Sequence, residues 1–256
     1  MIGSESVIDW TQDIEAGFSN EANRAPVIFA AKSVSDSQSA WEVMATRLDL
    51  ESEIVRELGE LLSPSERLRA SRFAFDLDRN RFIVARARLR QFLAIRLDVP
   101  PASVELIFGR RGKPALAPRL ACSGLRFNVS HSEDVAVYAF AFQCEVGIDV
   151  EAIRAIKYAD SIATRLFSKF ENDVYHALEP ENKVLGFFNC WTRKEAFIKA
   201  LGEGLYYRLD RFDVSLAPGD PVKILRVEEK CGNDCGWHLN AFCPAPGYVA
   251  AIVTEI

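Results

Sequence analysis

The middle of the chain constrains the fold most. Between residues 125 and 151, the stretches LRFNVS and VAVYAFAF flank SHSED, and VGIDVE follows after the short connection QCE. All three are read as strands. Helical patterns lie on both sides of them. Upstream, SPSERLRASRF begins with Ser63 as a cap, Pro64 in the first helical position and Glu66 three residues after the cap, a capping-box start. A second helix is expected over roughly Asp78 to Leu97, ended by Val99 and the two prolines that follow. Downstream, one or two helices are expected over residues 158–180 and another over 184–201. The last third, FDVSL, VKILRVE, WHLNAFC and YVAAIVTEI, alternates like antiparallel strands. Each half therefore combines helices with strands, and the class is α+β. VIFAAKSV at 27–34 and VELIF at 104–108 read as strands, 41–62 as mostly helical, and GRRGKP as a turn.

A division near residue 143 is expected, with halves 26–143 and 144–256, although no Pro/Gly/Ser linker marks it and no repeat relates them. Residues 1–25 read as an extension, either disordered or folded across the N-terminal half. They show no basic, apolar signal pattern, and no run of about 18 apolar residues occurs anywhere, so a cytoplasmic location without membrane contact is expected. The 256 residues suffice to bury a core, and 49% hydrophobic with 26% charged residues is ordinary for a globular protein. A net charge of −5 argues against nucleic acid as a partner for the whole surface. Cys122, Cys144 and Cys190 are read as buried free thiols. Cys231 and Cys235 lie near His238, but a fourth zinc ligand is not evident, so a reduced turn is the better reading.

Four local signals carry chemistry. From Ser63 to Lys113 there are twelve basic residues, eleven of them arginine, against five acids. Most of these fit a solvated helix face. Arg110, Arg111 and Lys113, on a glycine turn, suit an anion site as well, because such a turn lets backbone N–H groups and a lysine approach phosphate. In FNVSHS, His131 lies between Ser130 and Ser132; it is read either as a structural hydrogen-bonding histidine or, with Ser130 and Ser132, as a donor to phosphate oxygens. No G-x-S-x-G is present, so a serine hydrolase is disfavoured. In VGIDVE, Val146, Ile148 and Val150 face one way and Asp149 and Glu151 the other. Two carboxylates on one strand face repel, and a divalent cation would relieve them. Oxygen ligands point to Mg²⁺ or Mn²⁺ rather than zinc. The alternative is an exposed strand edge. In WTRKEAFIKA, Glu195 and Lys199 are one helical turn apart. They are either a surface ion pair or the third carboxylate of a metal site with a phosphate-binding lysine.

GKPAL at 112–116, FNVSHS at 127–132, GIDVE at 147–151 and WTRKEAFIKALGEGL at 191–205 occur in this order. Together they resemble the motifs of 4′-phosphopantetheinyl transferases of the larger, surfactin-synthetase-activating (Sfp) type, over roughly Ser63 to Leu216. The resemblance implies two similar α/β halves related by a pseudo-twofold, with coenzyme A in the cleft between them. It implies a monomer with the whole site in one chain. It also implies transfer of phosphopantetheine from coenzyme A to a serine of an apo carrier protein (acyl, polyketide or peptidyl), releasing adenosine 3′,5′-bisphosphate. Carried over by motif, Asp149, Glu151 and Glu195 would hold Mg²⁺ and Lys199 would contact the attacked phosphate. The transfer needs a base for the serine proton, for which Glu195 or a metal-bound water is the candidate. Lys113, Ser130 and His131 would bind coenzyme A phosphates, with Arg69 and Arg81 as further phosphate contacts. Glu66 stands where some members have lysine. Glu171, in FSKFEND, matches a family glutamate near the active site.

Two other readings compete. A coenzyme A or nucleotide-binding module without transfer chemistry would be expected to have lost one of Asp149, Glu151, Glu195 or Lys199, and all are present. An RNA-binding protein would use the arginine-rich helices, but the net charge and the lack of an RNP-like aromatic motif weigh against it.

Overall fold

The computed structural model describes residues 8–9, 27–33, 41–109, 112–202, 207–227, 230–231 and 236–256. Arg110, Arg111, Cys235 and the side chain of Cys231 lie outside the described residues, as does most of segment 1–25.

In chain order, β1 (Ile8–Asp9), β2 (Val27–Ser33) and β3 (Trp41–Arg47) come first, then helices α1 (Ser52–Gly59), α2 (Pro64–Ala70) and α3 (Asp76–Leu97). A hairpin of β4 (Leu106–Phe108) and β5 (Pro114–Leu116) leads through α4 (Pro118–Ala121) to the central strands β6 (Leu125–Ser132), β7 (Val135–Phe142) and β8 (Val146–Ala152). Helices α5 (Ala159–Leu166), α6 (Lys169–Ala177) and α7 (Pro180–Leu201) follow. The chain closes with β9 (Phe212–Val214), β10 (Ile224–Val227), β11 (Lys230–Cys231), β12 (Trp237–Phe242) and β13 (Tyr248–Glu255).

Two antiparallel sheets organise these elements, in strand orders β1-β2-β3-β7-β6 and β12-β13-β8. Their facing sides share one core, in which Val43 and Ala45 of β3 and Val135 and Val137 of β7 meet Ile148 and Val150 of β8 and Ile252 of β13. The other face of the first sheet, with Met44, Tyr138 and Phe140, packs under α1 and α3. The other face of the second sheet, with Ala251 and Val253, packs under α7. The order of layers is thus helix, sheet, sheet, helix. Because β7 is covered on both sides, VAVYAFAF is apolar throughout instead of alternating.

The expected capping box is present: Ser63 Oγ accepts from the Glu66 N–H, and Glu66 Oε2 accepts from the Ser63 N–H at 2.8 Å. Two expectations are corrected. Residues 41–47 form a strand and only 52–59 a helix. WEVMATR is buried on both faces, which removes the alternation that would have marked it. Cys144 and Cys190 are buried, but Cys122 is exposed; it caps α4, its Sγ donating to the Arg119 carbonyl.

Candidate active site between the two sheets

The site forms where β8, at the edge of one sheet, meets β6, at the edge of the other. Gly147 sets the distance to α7. A Cβ there would lie 2.0 Å from the Ala196 carbonyl oxygen and 2.3 Å from the Ala200 nitrogen, so only glycine lets the helix rest on the strand. Asp149 and Glu151 follow on the same strand face, opposite to Ile148 and Val150 in the inter-sheet core. The helix side chains flanking Ala196 and Ala200 are Glu195 and Lys199. This is why a strand motif and a helix motif about fifty residues apart supply one site.

Lys199 Nζ donates to Asp149 Oδ1 at 2.6 Å and to Ser130 Oγ at 2.9 Å, and Ser130 Oγ donates to Asp149 Oδ1 at 2.8 Å. Asp149 is only 5% exposed, and its other oxygen, Oδ2, is buried with no partner among the described residues. Such an atom costs about 1–3 kcal/mol or more when left unpaired. Burial, despite the Lys199 contact, holds the Asp149 carboxyl above the usual aspartate range. Glu195 is also pushed up, first by burial and then by the charges of Asp149 and, more weakly, Glu151. Glu195 therefore senses both strand carboxylates. Among the described residues no group of three His, Cys, Asp or Glu side chains is placed to hold a metal ion. The donor set nevertheless fits a hard divalent cation. It offers oxygens only, one of them buried and unsatisfied, and an ammonium now rests on its partner oxygen.

Lys113 comes to the same place from the first half. It follows Gly112, whose φ of 76° turns the β4–β5 hairpin. Its Nζ donates at 2.5 Å to the Lys199 carbonyl in the last turn of α7. Burial, and less strongly Lys199, lowers its affinity for a proton. Beside it opens a cleft of about 480 Å³ lined by Phe108, Lys113, Phe127, Arg126, Glu145 and Gly202.

Residues 145–253 match the model of the 4′-phosphopantetheinyl transferase superfamily, and residues 50–143 match that of the 4′-phosphopantetheinyl transferase N-terminal region. The chain is 35% identical to the 4′-phosphopantetheinyl transferase HetI of Nostoc over 86% of its own length and 88% of that protein. It is 29% identical to the 4′-phosphopantetheinyl transferase Sfp of Bacillus subtilis, over 75% of this chain and 81% of the relative. The chain belongs to the 4′-phosphopantetheinyl transferase superfamily. It is a phosphopantetheinyl transferase, an enzyme of a family that uses coenzyme A as substrate.

The remaining candidate residues of the transferase divide by their present partners. Arg81 donates from Nε and one terminal nitrogen to Asp134 Oδ1, at 3.1 and 2.7 Å, and lies 3.4 Å from Glu133. Its charge is thus already met by the β6–β7 turn. His131 is exposed beside that turn; burial of part of its ring, then Lys199 and Arg81, lower its affinity for a proton. Arg69 stands over the Phe82 ring at 5.3 Å. Arg86, which the sequence reading left within a solvated face, stacks over Phe108 at 5.3 Å and keeps a buried terminal nitrogen without a partner among the described residues. Glu66 is a structural anchor, 2.7 Å from Arg90 and 3.6 Å from Arg86, which accounts for an acid at that position. Glu171 lies outside the cleft. It completes the capping box of α6 and forms an ion pair with Lys194 at 2.8 Å.

The sequence reading missed the seam itself. Asn128, Ser130 and Ser132 alternate along one face of β6, and all three reach β8. Asn128 Oδ1 accepts from the Ile148 N–H at 3.0 Å, Ser130 donates to Asp149, and Ser132 donates to Glu151 Oε2 at 2.8 Å. Their spacing of two was the available signal.

Proposed function

We propose that this transferase moves the 4′-phosphopantetheine group from coenzyme A to a serine hydroxyl of an apo acyl, polyketide or peptidyl carrier protein. The serine oxygen forms a bond to the phosphorus that carries the pantetheine arm. The bond from that phosphorus to the adenosine-side bridging oxygen breaks, and adenosine 3′,5′-bisphosphate leaves. Asp149, Glu151 and Glu195 would hold Mg²⁺, or Mn²⁺, which when bound neutralises charge on the pyrophosphate. Lys199, beside Asp149, stabilises charge on the attacked phosphate. Glu195, whose carboxylate burial and the Asp149 charge make more basic than usual, would take the serine proton. Lys113, Ser130, His131 and Arg69 orient the coenzyme A phosphates, and Arg81, already paired with Asp134, contributes least.

The observation that carries this reading is the Asp149 carboxylate, buried, half-satisfied, and held against a lysine of the helix that packs on its own strand. The halves 26–143 and 144–256 act as the two walls of the coenzyme A cleft. Each contributes a 22-residue helix on an antiparallel sheet, which supports a pseudo-twofold relation between them. The reading places the enzyme in the cytoplasm as a monomer without nucleic acid; no described helix is long and apolar enough to cross a membrane. Incubation with coenzyme A, Mg²⁺ and an apo carrier, followed by mass measurement of the carrier, tests it. A gain of one phosphopantetheine group, abolished by chelator, is expected. No gain on carriers of several classes, with coenzyme A still bound, would overturn it.

A further inference from the structure

We infer that Ser132 is a positioning residue that aims Glu151 at the cation site. This rests on the reading of Glu151 as a cation ligand. β8 pairs along one edge with β13, through Glu151 with Val249 and Ala152 with Tyr248. Its other edge faces β6, and no strand ladder joins the two. Side chains of β6 take the place of that ladder: the Ala152 N–H donates to Ser132 Oγ at 3.1 Å, as the Ile148 N–H does to Asn128.

This contact decides where the serine proton goes. A hydroxyl has one proton, and here one of its lone pairs is already taken by the Ala152 N–H. The proton is left to Glu151 Oε2, at 2.8 Å. Ser132 therefore grips the main chain just after Glu151 and one oxygen of its carboxylate together. It is 9% exposed, so water does not compete freely for the hydroxyl. The other group on Oε2 is Arg154, at 3.2 Å, whose side chain is 50% exposed. Without Ser132 this half-exposed arginine, which also donates to the Ala152 carbonyl at 2.9 Å, would alone hold Oε2. Residues that orient metal ligands in this way change metal affinity about 10–100-fold when removed.

The test is Mn²⁺ binding to the full-length protein without coenzyme A, followed by electron paramagnetic resonance. The variants are Ser132→Ala, Ser132→Thr, Arg154→Ala and Asp149→Asn, each checked for a native melting transition. Ser132→Ala is expected to weaken Mn²⁺ binding about 10–100-fold, with transfer recovered at high metal. Ser132→Thr keeps the hydroxyl and is expected to restore affinity. Arg154→Ala is expected to stay within about twofold of the parent, as for an exposed ion pair. Parent-like Mn²⁺ affinity in folded Ser132→Ala, whatever its melting temperature, would overturn the inference while leaving the carboxylate site standing. Parent protein whose Mn²⁺ binding is unaffected by Asp149→Asn would overturn the carboxylate reading itself, and the inference with it.

Discussion

Two of the three lysines of helix α7, five residues apart, each sit on a buried carboxylate. At Lys194 every valence is used. The side chain is 2% exposed, and Nζ meets Glu171 at 2.8 Å, the Leu209 carbonyl at 2.6 Å and the Phe212 carbonyl at 2.7 Å. The Phe212 ring covers it at 4.0 Å. Glu171 is fully buried and equally complete, accepting from the Ser168 and Val214 N–H groups, each at 2.8 Å. At Lys199 the pair is open. The lysine side chain is 27% exposed, and Asp149 Oδ2 has no partner among the described residues. Both pairs bear the cost of desolvating charge, but only the first is repaid by full coordination. The complete pair ties α6, α7 and the 209–214 segment together. The incomplete one leaves binding capacity for something the chain does not supply.

The largest effect should come from breaking the complete pair. Lys194→Met leaves Glu171 buried and uncompensated, and is expected to lower stability by about 3–5 kcal/mol, read as a fall in the denaturant midpoint. A shift below about 1 kcal/mol would make the two pairs alike. Asp149→Ala should do the reverse, leaving a cooperative melt close to the parent's while transfer falls on the order of a thousandfold, the several kcal/mol a positioned cation supplies. Near-normal turnover would remove Asp149 from the chemistry. Lys113→Ala is expected to raise KM for coenzyme A by about tenfold or more, the loss of one charge-assisted hydrogen bond, with kcat little changed. A pure loss of kcat would contradict a ground-state phosphate contact. The smallest change is expected at Arg81, whose guanidinium is committed to Asp134: Arg81→Ala should alter KM for coenzyme A by less than about threefold.

The comparison also shows what the sequence could and could not disclose. The alternation of VGIDVE placed Asp149 and Glu151 on one face, and the structure has them there, because a core on the opposite face enforces period two. The capping box at Ser63 and the long helix ending near Leu97 were legible because their signals are local. The strand at Trp41–Arg47 was not, since burial on both faces erases periodicity and the neighbouring 52–59 helix extends the apparent pattern. Nor could sequence separate the two lysines. Lys194 and Lys199 both stand among apolar residues of one helix; what differs is Glu171, over twenty residues upstream, and Asp149, on a strand fifty residues away. The seam was hidden for a similar reason: Ser130 and Ser132 read as phosphate donors, and Asn128 on its own carries no signal, until the facing strand edge is known.

The open pair can be tested directly, because the Lys199 ammonium now occupies an oxygen of the carboxylate that the cation would use. Titration of Lys199→Met with Mn²⁺, without coenzyme A, should show tighter binding than the parent, while Lys199→Met remains deficient in transfer. Unchanged or weaker Mn²⁺ binding in the folded variant would contradict the account, since Lys199 would then neither stand in for the cation nor compete with it.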